Sequence, residues 1–385
     1  MAISQERPQP PRTHEEMPRA LPQATGVCGK CDKAGAKSLC SICKKTYYCG
    51  AECQQAHWKA HKGPCREATE RALGNGLVSE CVAGSVLRVK SYLDSAAQAG
   101  SKVKVNVNHV VQDESSADKG VFPLLGAVDG IARAKSSGAS PAGWLRIIDM
   151  LIAAGANTNQ VGGGGGRAES ALYHACAHNV LDPIRSLLAA GADINLANSD
   201  GTTPLAIACQ RGFNEVYSFL LVKGADTNKA DLINGATPVF TAASNNQESA
   251  VRCLVAHGGK VTIKSNRGAT PLLIAAENGH ANLIPVLLSL GGDVNECDNL
   301  GATPLFMAAQ MGHVHVLRAL FACGGLVSIN TPSTAGDTPL DVAIRHHRTD
   351  VEKLLVENGA KRSEKPLEDP AKSSSAGSIE DIDEA

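Results

Sequence analysis

Aromatic side chains are scarce in this chain: Phe, Tyr and Trp together make up 3% of 385 residues. A core with so few rings has to be filled by Ala, Leu, Val and Ile at close backbone spacing. With 38 glycines available, that favours packed helices and tight turns over a β-sandwich. Net charge is scarce too, and a formal charge of -1 supplies no global field to draw the protein onto nucleic acid or an anionic membrane. No run approaches about 18 uninterrupted apolar residues, the length a membrane-spanning helix needs. The opening MAISQERPQPPRTHEEMPRALPQ has prolines and charges where a secretory signal needs an apolar stretch. The expected location is the cytoplasm, the nucleus or both, with no membrane attachment. Thirteen cysteines in such a reducing compartment argue against a disulfide framework, yet seven of them fall between residues 28 and 65 and ask for another chemistry.

At 43% hydrophobic and 19% charged, the chain suits two or three structural units. Residues 1–25 are Pro-rich and polar without apolar periodicity and read as a disordered leader; residues 361–385, KRSEKPLEDPAKSSSAGSIEDIDEA, read as a disordered acidic tail. Between them one motif keeps returning: GTTPLAIACQRG at 201, GATPVFTAASNN at 235, GATPLLIAAENGH at 268, GATPLFMAAQMGH at 301 and GDTPLDVAIRHH at 336, at intervals of 34, 33, 33 and 35 residues. A second marker, seen at Gly155, Gly191, Gly224, Gly258, Gly291, Gly324 and Gly359, runs in step with it. Two phase-locked motifs at a period of about 33 define a repeat array.

Each unit has a readable physics. Thr followed by Pro starts a helix, because the hydroxyl caps exposed N–H groups and Pro suits the first turn. A small residue recurs five positions after that Thr, at Ala208, Ala242, Ala275, Ala308 and Ala343, where helices can approach closely. A second apolar helix follows, and Gly supplies its left-handed stop. The pattern resembles the ankyrin repeat over roughly residues 78–360. It weakens at SALYHACAHNVLDPIRSLLAAGADIN, which lacks the Thr-Pro, and at VFPLLGAVDGIARAKSSGASPAGWLRIIDM, which is read as carrying an extra loop between its helices. The array holds about seven repeats, with LVSECVAGSVLRVKSYLDSAAQAG readable as a degenerate amino-terminal cap. Gly162–Gly166 reads as a flexible insertion in one connecting turn.

The cysteine cluster runs Cys28-x2-Cys31-x8-Cys40-x2-Cys43-x5-Cys49-x3-Cys53-x7-His61-x3-Cys65. Four ligand pairs make eight ligands, enough for two closed tetrahedral zinc sites. Soft thiolates with one imidazole suit zinc, and eight good ligands leave no open position for a catalytic water. A segment this short cannot fold on its apolar area, so the metal has to supply most of its stability. His57 shares the spacing as a ninth candidate and is read as lying beside the ligands or on the surface.

The spacing, with Tyr48 before Cys49, Gln54 after Cys53 and the His57-Trp58-x2-His61-Lys62-x2-Cys65 ending, resembles a MYND zinc finger over residues 26–66. That resemblance implies interleaved sites, with Cys28, Cys31, Cys49 and Cys53 on one Zn²⁺ and Cys40, Cys43, His61 and Cys65 on the other. It also implies a grip on short proline-containing peptides of partner proteins, with Trp58 either an apolar contact for the peptide or the minimal core of the finger. The expected fold is thus mainly α: a solenoid of helix pairs behind a small two-zinc finger.

No nucleophile with a base, no phosphate-cradling loop and no carboxylate pair outside the two ends is visible, so no catalytic residue is assigned. The remaining cysteines, Cys81, Cys176, Cys209, Cys253, Cys297 and Cys323, read as core or turn residues. His313 reads as a turn residue rather than a ligand, and His174 and His178 lie four apart on a helix without a third ligand. A solenoid presents a long concave surface suited to gripping another protein. The function expected is an adaptor, the finger holding a proline-containing peptide and the repeats a second protein. The alternative is a regulatory or targeting subunit of an enzyme complex, such as a methyltransferase or chaperone-linked assembly. Nucleic-acid binding is disfavoured, since the excess of nine Lys or Arg over four Asp or Glu in residues 26–72 falls from +5 to +2 once seven thiolates and two Zn²⁺ are counted, too little for several phosphate contacts.

Overall fold

The computed structural model describes residues 38–39, 47–48, 70–97, 105–112, 119–163 and 168–363. The chain divides into two compact units, one of Met1–Leu73 with Gln98–Val105 and one of Gly74–Ala97 with Asn106–Ala385. In the smaller unit β1 (Ser38–Leu39) pairs antiparallel with β2 (Tyr47–Tyr48), Ser38 opposite Tyr48 and Leu39 opposite Tyr47. Residues 1–25 and 364–385, for which the composition predicts disorder, lie outside the described residues.

A helix over residues 70–83 (α1), which the larger unit includes from Gly74 onward, is followed by α2 (Val86–Ala97). Seven helix pairs follow. They are α3 (Pro123–Ser137) with α4 (Ala142–Ala153), α5 (Ala171–Ala177) with α6 (Leu181–Ala189), α7 (Pro204–Gln210) with α8 (Asn214–Val222), and α9 (Pro238–Ser244) with α10 (Glu248–Ala256). Then come α11 (Pro271–Glu277) with α12 (Leu283–Ser289), α13 (Pro304–Met311) with α14 (Val314–Ala322), and α15 (Pro339–Arg345) with α16 (Thr349–Glu357). First helices stack on first helices from α3 to α15, and second helices form the other row, so the core lies between two layers of a mainly helical solenoid.

The repeated residues build each pair. The side chains of Thr203, Thr237, Thr270, Thr303 and Thr338 each accept a hydrogen bond from the backbone N–H three residues on, with Pro in the first turn of the helix. All five threonines are buried, so the cap satisfies donors that water cannot reach. Ser170 caps α5 the same way through Tyr173 N–H at 3.1 Å, which is why that unit keeps its helix without the Thr-Pro. Ala208, Ala242, Ala275, Ala308 and Ala343 have no exposed surface and let successive first helices approach closely. On the other row Leu151, Leu187, Leu220, Leu254, Leu287, Leu320 and Leu355 form a fully buried line, one per repeat. Each second helix ends on a left-handed glycine: after α6, Gly191 (φ 84°) donates to Leu188 and Ala192 to Leu187, the paired bonds that close a helix end.

Two stretches differ from the sequence expectation. The extra residues of the first full pair go into the helix: α3 runs 15 residues, about twice the length of its counterparts, and stops at left-handed Gly138 (φ 72°). Ile131, Ala132 and Ala134 in that extension are buried, so apolar surface holds it helical. The glycine run is in part structural. β3 (Val161–Gly162) pairs with β4 (Glu169–Ser170), and Gly163 N–H donates to Gly120 O at 2.7 Å. A Cβ on Gly162 would land on the Gly120 carbonyl, and one on Gly120 on the backbone of Gly163, so these positions have no room for a side chain. Residues 164–167 lie outside the described residues.

Candidate functional site

Cys28, Cys31, Cys40, Cys43, Cys49, Cys53, His57, Trp58, His61 and Cys65 lie outside the described residues. The β1–β2 ladder is formed by residues of the stretch between Cys31 and Cys49. Seven thiolates and one imidazole are a donor set that fits zinc. Among the described residues no group of three or more His, Cys, Asp or Glu could hold a metal ion, and no described helix is long and apolar enough to cross a membrane.

A cleft of about 770 Å³ lies within the larger unit, on α5, α7 and α9 and the turns that precede α7 and α9. Ile207 and Phe240, each less than a tenth exposed, lie in its wall, and Ile233, 60% exposed, stands at its rim. The turn at Ile233 is one residue longer than its counterparts: Asp231 Oδ1 accepts the N–H groups of Ile233, Asn234 and Gly235 at 3.0, 2.6 and 3.1 Å, and the loop carries Leu232 and Ile233 outward. Arg211 and Lys229 line the same cleft, Arg211 Nη1 donating to Ala177 O at 2.7 Å and Lys229 Nζ to Asn195 O at 2.8 Å.

At one end of the cleft His174 sits between two carboxylates. Its Nδ1 is 3.2 Å from Glu169 Oε2 and its Nε2 is 3.5 Å from Asp129 Oδ1, the latter a charge contact without hydrogen-bond geometry. Burial lowers the pKa of His174, but the facing carboxylates outweigh it and hold the ring up at about 9. The carboxyl of Asp129 is held low, by His174 first and against its own partial burial, with Arg133 at 2.8 Å also favouring the anion. The ring of His178 lies 4.4 Å from that of His174, and its pKa is lowered by burial and then by the charges of His174 and Arg211. His174 therefore meets Asp129 and Glu169 in a charge clasp between α3 and α5, with the His178 ring against it.

Other polar positions turn out to build the solenoid. His313 precedes α14 and its Nε2 lies 2.9 Å from Glu277 O, closing the end of the previous first helix; His280 does the same at Ser244 O, 3.0 Å away. Arg345 forks onto Asp337 at 2.6 and 2.8 Å, and Glu277 pairs with Arg267, so neither acid is free. Cys81, Cys176 and Cys209 are buried core residues, with their thiols pushed up by burial, to about 12 at Cys81; Cys253 is half-buried, and Cys297 and Cys323 are exposed.

One set of residues escaped the motif analysis. Asn108, Asn159, Asn195, Asn228 and Asn330 each accept, through Oδ1, a backbone N–H of the next repeat, at Asn157, Asp193, Asp226, Lys260 and Lys361, over 2.7 to 3.0 Å. For Asn159, Asn195 and Asn228 the signal was in the sequence, as an asparagine four residues after the helix-ending glycine; Asn108 and Asn330 do not share that spacing. Residues 361–363, which composition assigns to the tail, are tied to the last repeat partly by this ladder and partly by Ser363 N–H on Asp341 Oδ2 at 2.9 Å.

Comparison with known proteins agrees with this geometry. A family model of ankyrin repeats matches in three copies, over residues 138–231, 219–298 and 274–365, and a model of the MYND finger matches residues 27–65. Among curated proteins, the B-cell lymphoma 3 protein homolog of Mus musculus is 29% identical over 119 residues, 30% of this chain and 26% of that protein. The SMC5-SMC6 complex localization factor protein 1 of Bos taurus is 32% identical over 99 residues, 26% of this chain and 9% of that protein. The probable E3 ubiquitin-protein ligase XBOS33 of Oryza sativa subsp. japonica is 37% identical over 91 residues, 24% of this chain and 18% of that protein. The chain thus spans about a quarter or less of the length of these relatives. Among solved structures, the human ASB11 ankyrin repeat domain is 28% identical with a TM-score of 0.46, covering 50% of this chain and 85% of that one. Both modules are interaction modules, and the finger implies zinc. The chain belongs to the ankyrin-repeat family and carries a MYND zinc finger ahead of its repeats.

Proposed function

We propose that this protein is a non-catalytic adaptor that joins two protein partners. The finger holds a short proline-containing segment of one, and the cleft on the first helices of the repeats holds the other. The observation that carries the reading is the pairing of a MYND match at residues 27–65 with a cleft of about 770 Å³ whose polar groups are bonded into turns and helix ends rather than arranged as acid, base and nucleophile. The finger takes two zinc ions, Cys28, Cys31, Cys49 and Cys53 on one and Cys40, Cys43, His61 and Cys65 on the other, in closed sites that hold shape rather than activate water. Trp58 is its candidate peptide contact.

The test uses the full chain. Elemental analysis is expected to find two zinc ions per molecule, falling by one or both in Cys49→Ser and Cys65→Ser variants. A peptide with Pro-x-Leu-x-Pro spacing is expected to bind the wild type and not the Trp58→Ala variant, provided that variant keeps its zinc. A metal content of one, or methyl transfer or ubiquitin ligation by the purified chain alone, would overturn the corresponding part.

A further inference from the structure

Two cations of the repeat cleft have no ionic partner, and this points to the chemistry of what it binds, on the reading that the cleft is the second binding surface. Its carboxylates are already engaged within the protein. Asp231 accepts three backbone N–H groups of its own turn, Glu169 faces His174, and Asp200 has its own partner in the fold. Its two exposed cations are in a different state: Arg211 and Lys229 each donate to one neutral backbone carbonyl, and among the described residues neither has a carboxylate within ion-pair distance. A carbonyl orients a cation without neutralising it. Between the cations and the rim, Ile233 offers apolar surface on the lengthened turn, with Ile207 and Phe240 in the wall.

We infer that the cleft on α5, α7 and α9 takes an extended acidic segment of a partner protein, its carboxylates meeting Arg211 and Lys229 and an apolar side chain packing beside Ile233. Two exposed cations beside an apolar rim fit a polypeptide better than a phosphate backbone, which calls for a longer row of Lys and Arg. Charges at such a rim govern association rate and salt dependence as well as affinity.

The experiment is an unbiased peptide selection against the full-length, zinc-loaded chain, counter-selected with an Arg211→Gln/Lys229→Gln double variant. That variant removes both charges and leaves amides able to donate, so the fold is expected to persist, with a thermal unfolding scan as the check. Enriched sequences are expected to carry two or more carboxylates within about six residues and an apolar residue among them. A labelled peptide of that composition is expected to bind at least tenfold more weakly to the double variant, to weaken as salt rises, and to bind an Arg318→Glu control on α14 as it binds the wild type. If the peptides that depend on the cleft are neutral or basic, or if a single-stranded oligonucleotide binds with the same dependence on Arg211 and Lys229, the acidic assignment falls and the cleft remains a binding surface. If no selected peptide depends on the cleft, the second-partner reading falls with it.

Discussion

Thr270 serves as an example of how a single side chain in this protein answers both to its own helix and to its neighbours. Its hydroxyl accepts the N–H of Leu273 at 3.3 Å in a position only 3% exposed, so no water can replace it. Thr270→Val keeps the shape and removes the acceptor; it is expected to cost about 1–3 kcal/mol in urea unfolding, while Thr270→Ser stays close to wild type. Gly130 is fixed by a different constraint. The indole of Trp144 lies over it and donates to Val82 O at 3.2 Å, and a Cβ at Gly130 would land on the ring. Gly130→Ala improves helix propensity by up to about 1 kcal/mol, yet overpacking costs about 1–3 kcal/mol, so a net loss with a shifted Trp144 fluorescence maximum is expected. That constraint is invisible in the sequence, where Gly130 is just a poor helix residue 14 positions before a tryptophan.

Individual helices are joined by charged and polar contacts that a single repeat does not contain. The clasp at His174 links α5 to Asp129 on α3, and its strength follows from the protonated ring. Folded, His174 is held at about 9 against an ordinary 6.5, so its contribution is complete below pH 6.5 and is lost as pH rises through 9. Thermal unfolding is therefore expected to weaken over that window, and a His174→Gln variant to lose that part of the dependence. Asp341 works in the opposite sense. Its buried carboxylate accepts Thr338 N–H at 2.9 Å, Thr338 Oγ1–H at 2.8 Å and Ser363 N–H at 2.9 Å; these bonds outweigh the cost of burial and hold it down at about 2. Its contribution is present above the ordinary 3.8 and is lost as pH falls through about 2. Replacing it with Leu leaves the N–H groups of Thr338 and Ser363 short of an acceptor, while the Thr338 hydroxyl keeps Lys361 O at 3.0 Å, and the last helix pair is expected to exchange its amide hydrogens faster than the central pairs.

Taken whole, the larger unit is a one-dimensional stack in which each repeat depends on its two neighbours. The buried leucine line makes this testable: Leu254→Ala removes a fully buried side chain from the middle of the array, at about 2–5 kcal/mol. It is expected to split a single unfolding transition into two, whereas the same change at Leu355 frays one end. On the proposed function the finger obeys another rule, with metal rather than neighbours supplying its stability, on the order of 10 kcal/mol per structural ion. Chelation is expected to abolish binding of the proline-containing peptide while leaving the helical circular dichroism of the repeats and binding of an acidic peptide nearly unchanged. Loss of both activities on chelation would show that the two modules are not independent.

The solenoid could be read before any coordinates because its rules are local and repeated. A buried Thr cap, Pro in the first turn, an alanine at the helix contact and a left-handed glycine stop all act within one unit of about 33 residues, and their recurrence at 201, 235, 268, 301 and 336 imposes the stacking. The finger's family was legible for a similar reason, since its Cys and His spacing lies within the one short segment, residues 27–65, that the MYND family model matches. Folding in three dimensions decided the rest. Gly120 meets Gly162 and Gly163 across more than 40 residues, His174 finds Asp129 from 45 positions away, and Asn195 reaches Asp226 in the next repeat. The open charges of Arg211 and Lys229 likewise became visible only once every nearby carboxylate had been seen to have another partner. Patterns of residue type report interactions along the chain; whether a charge is neutralised or a backbone has room depends on what the packed neighbours leave over.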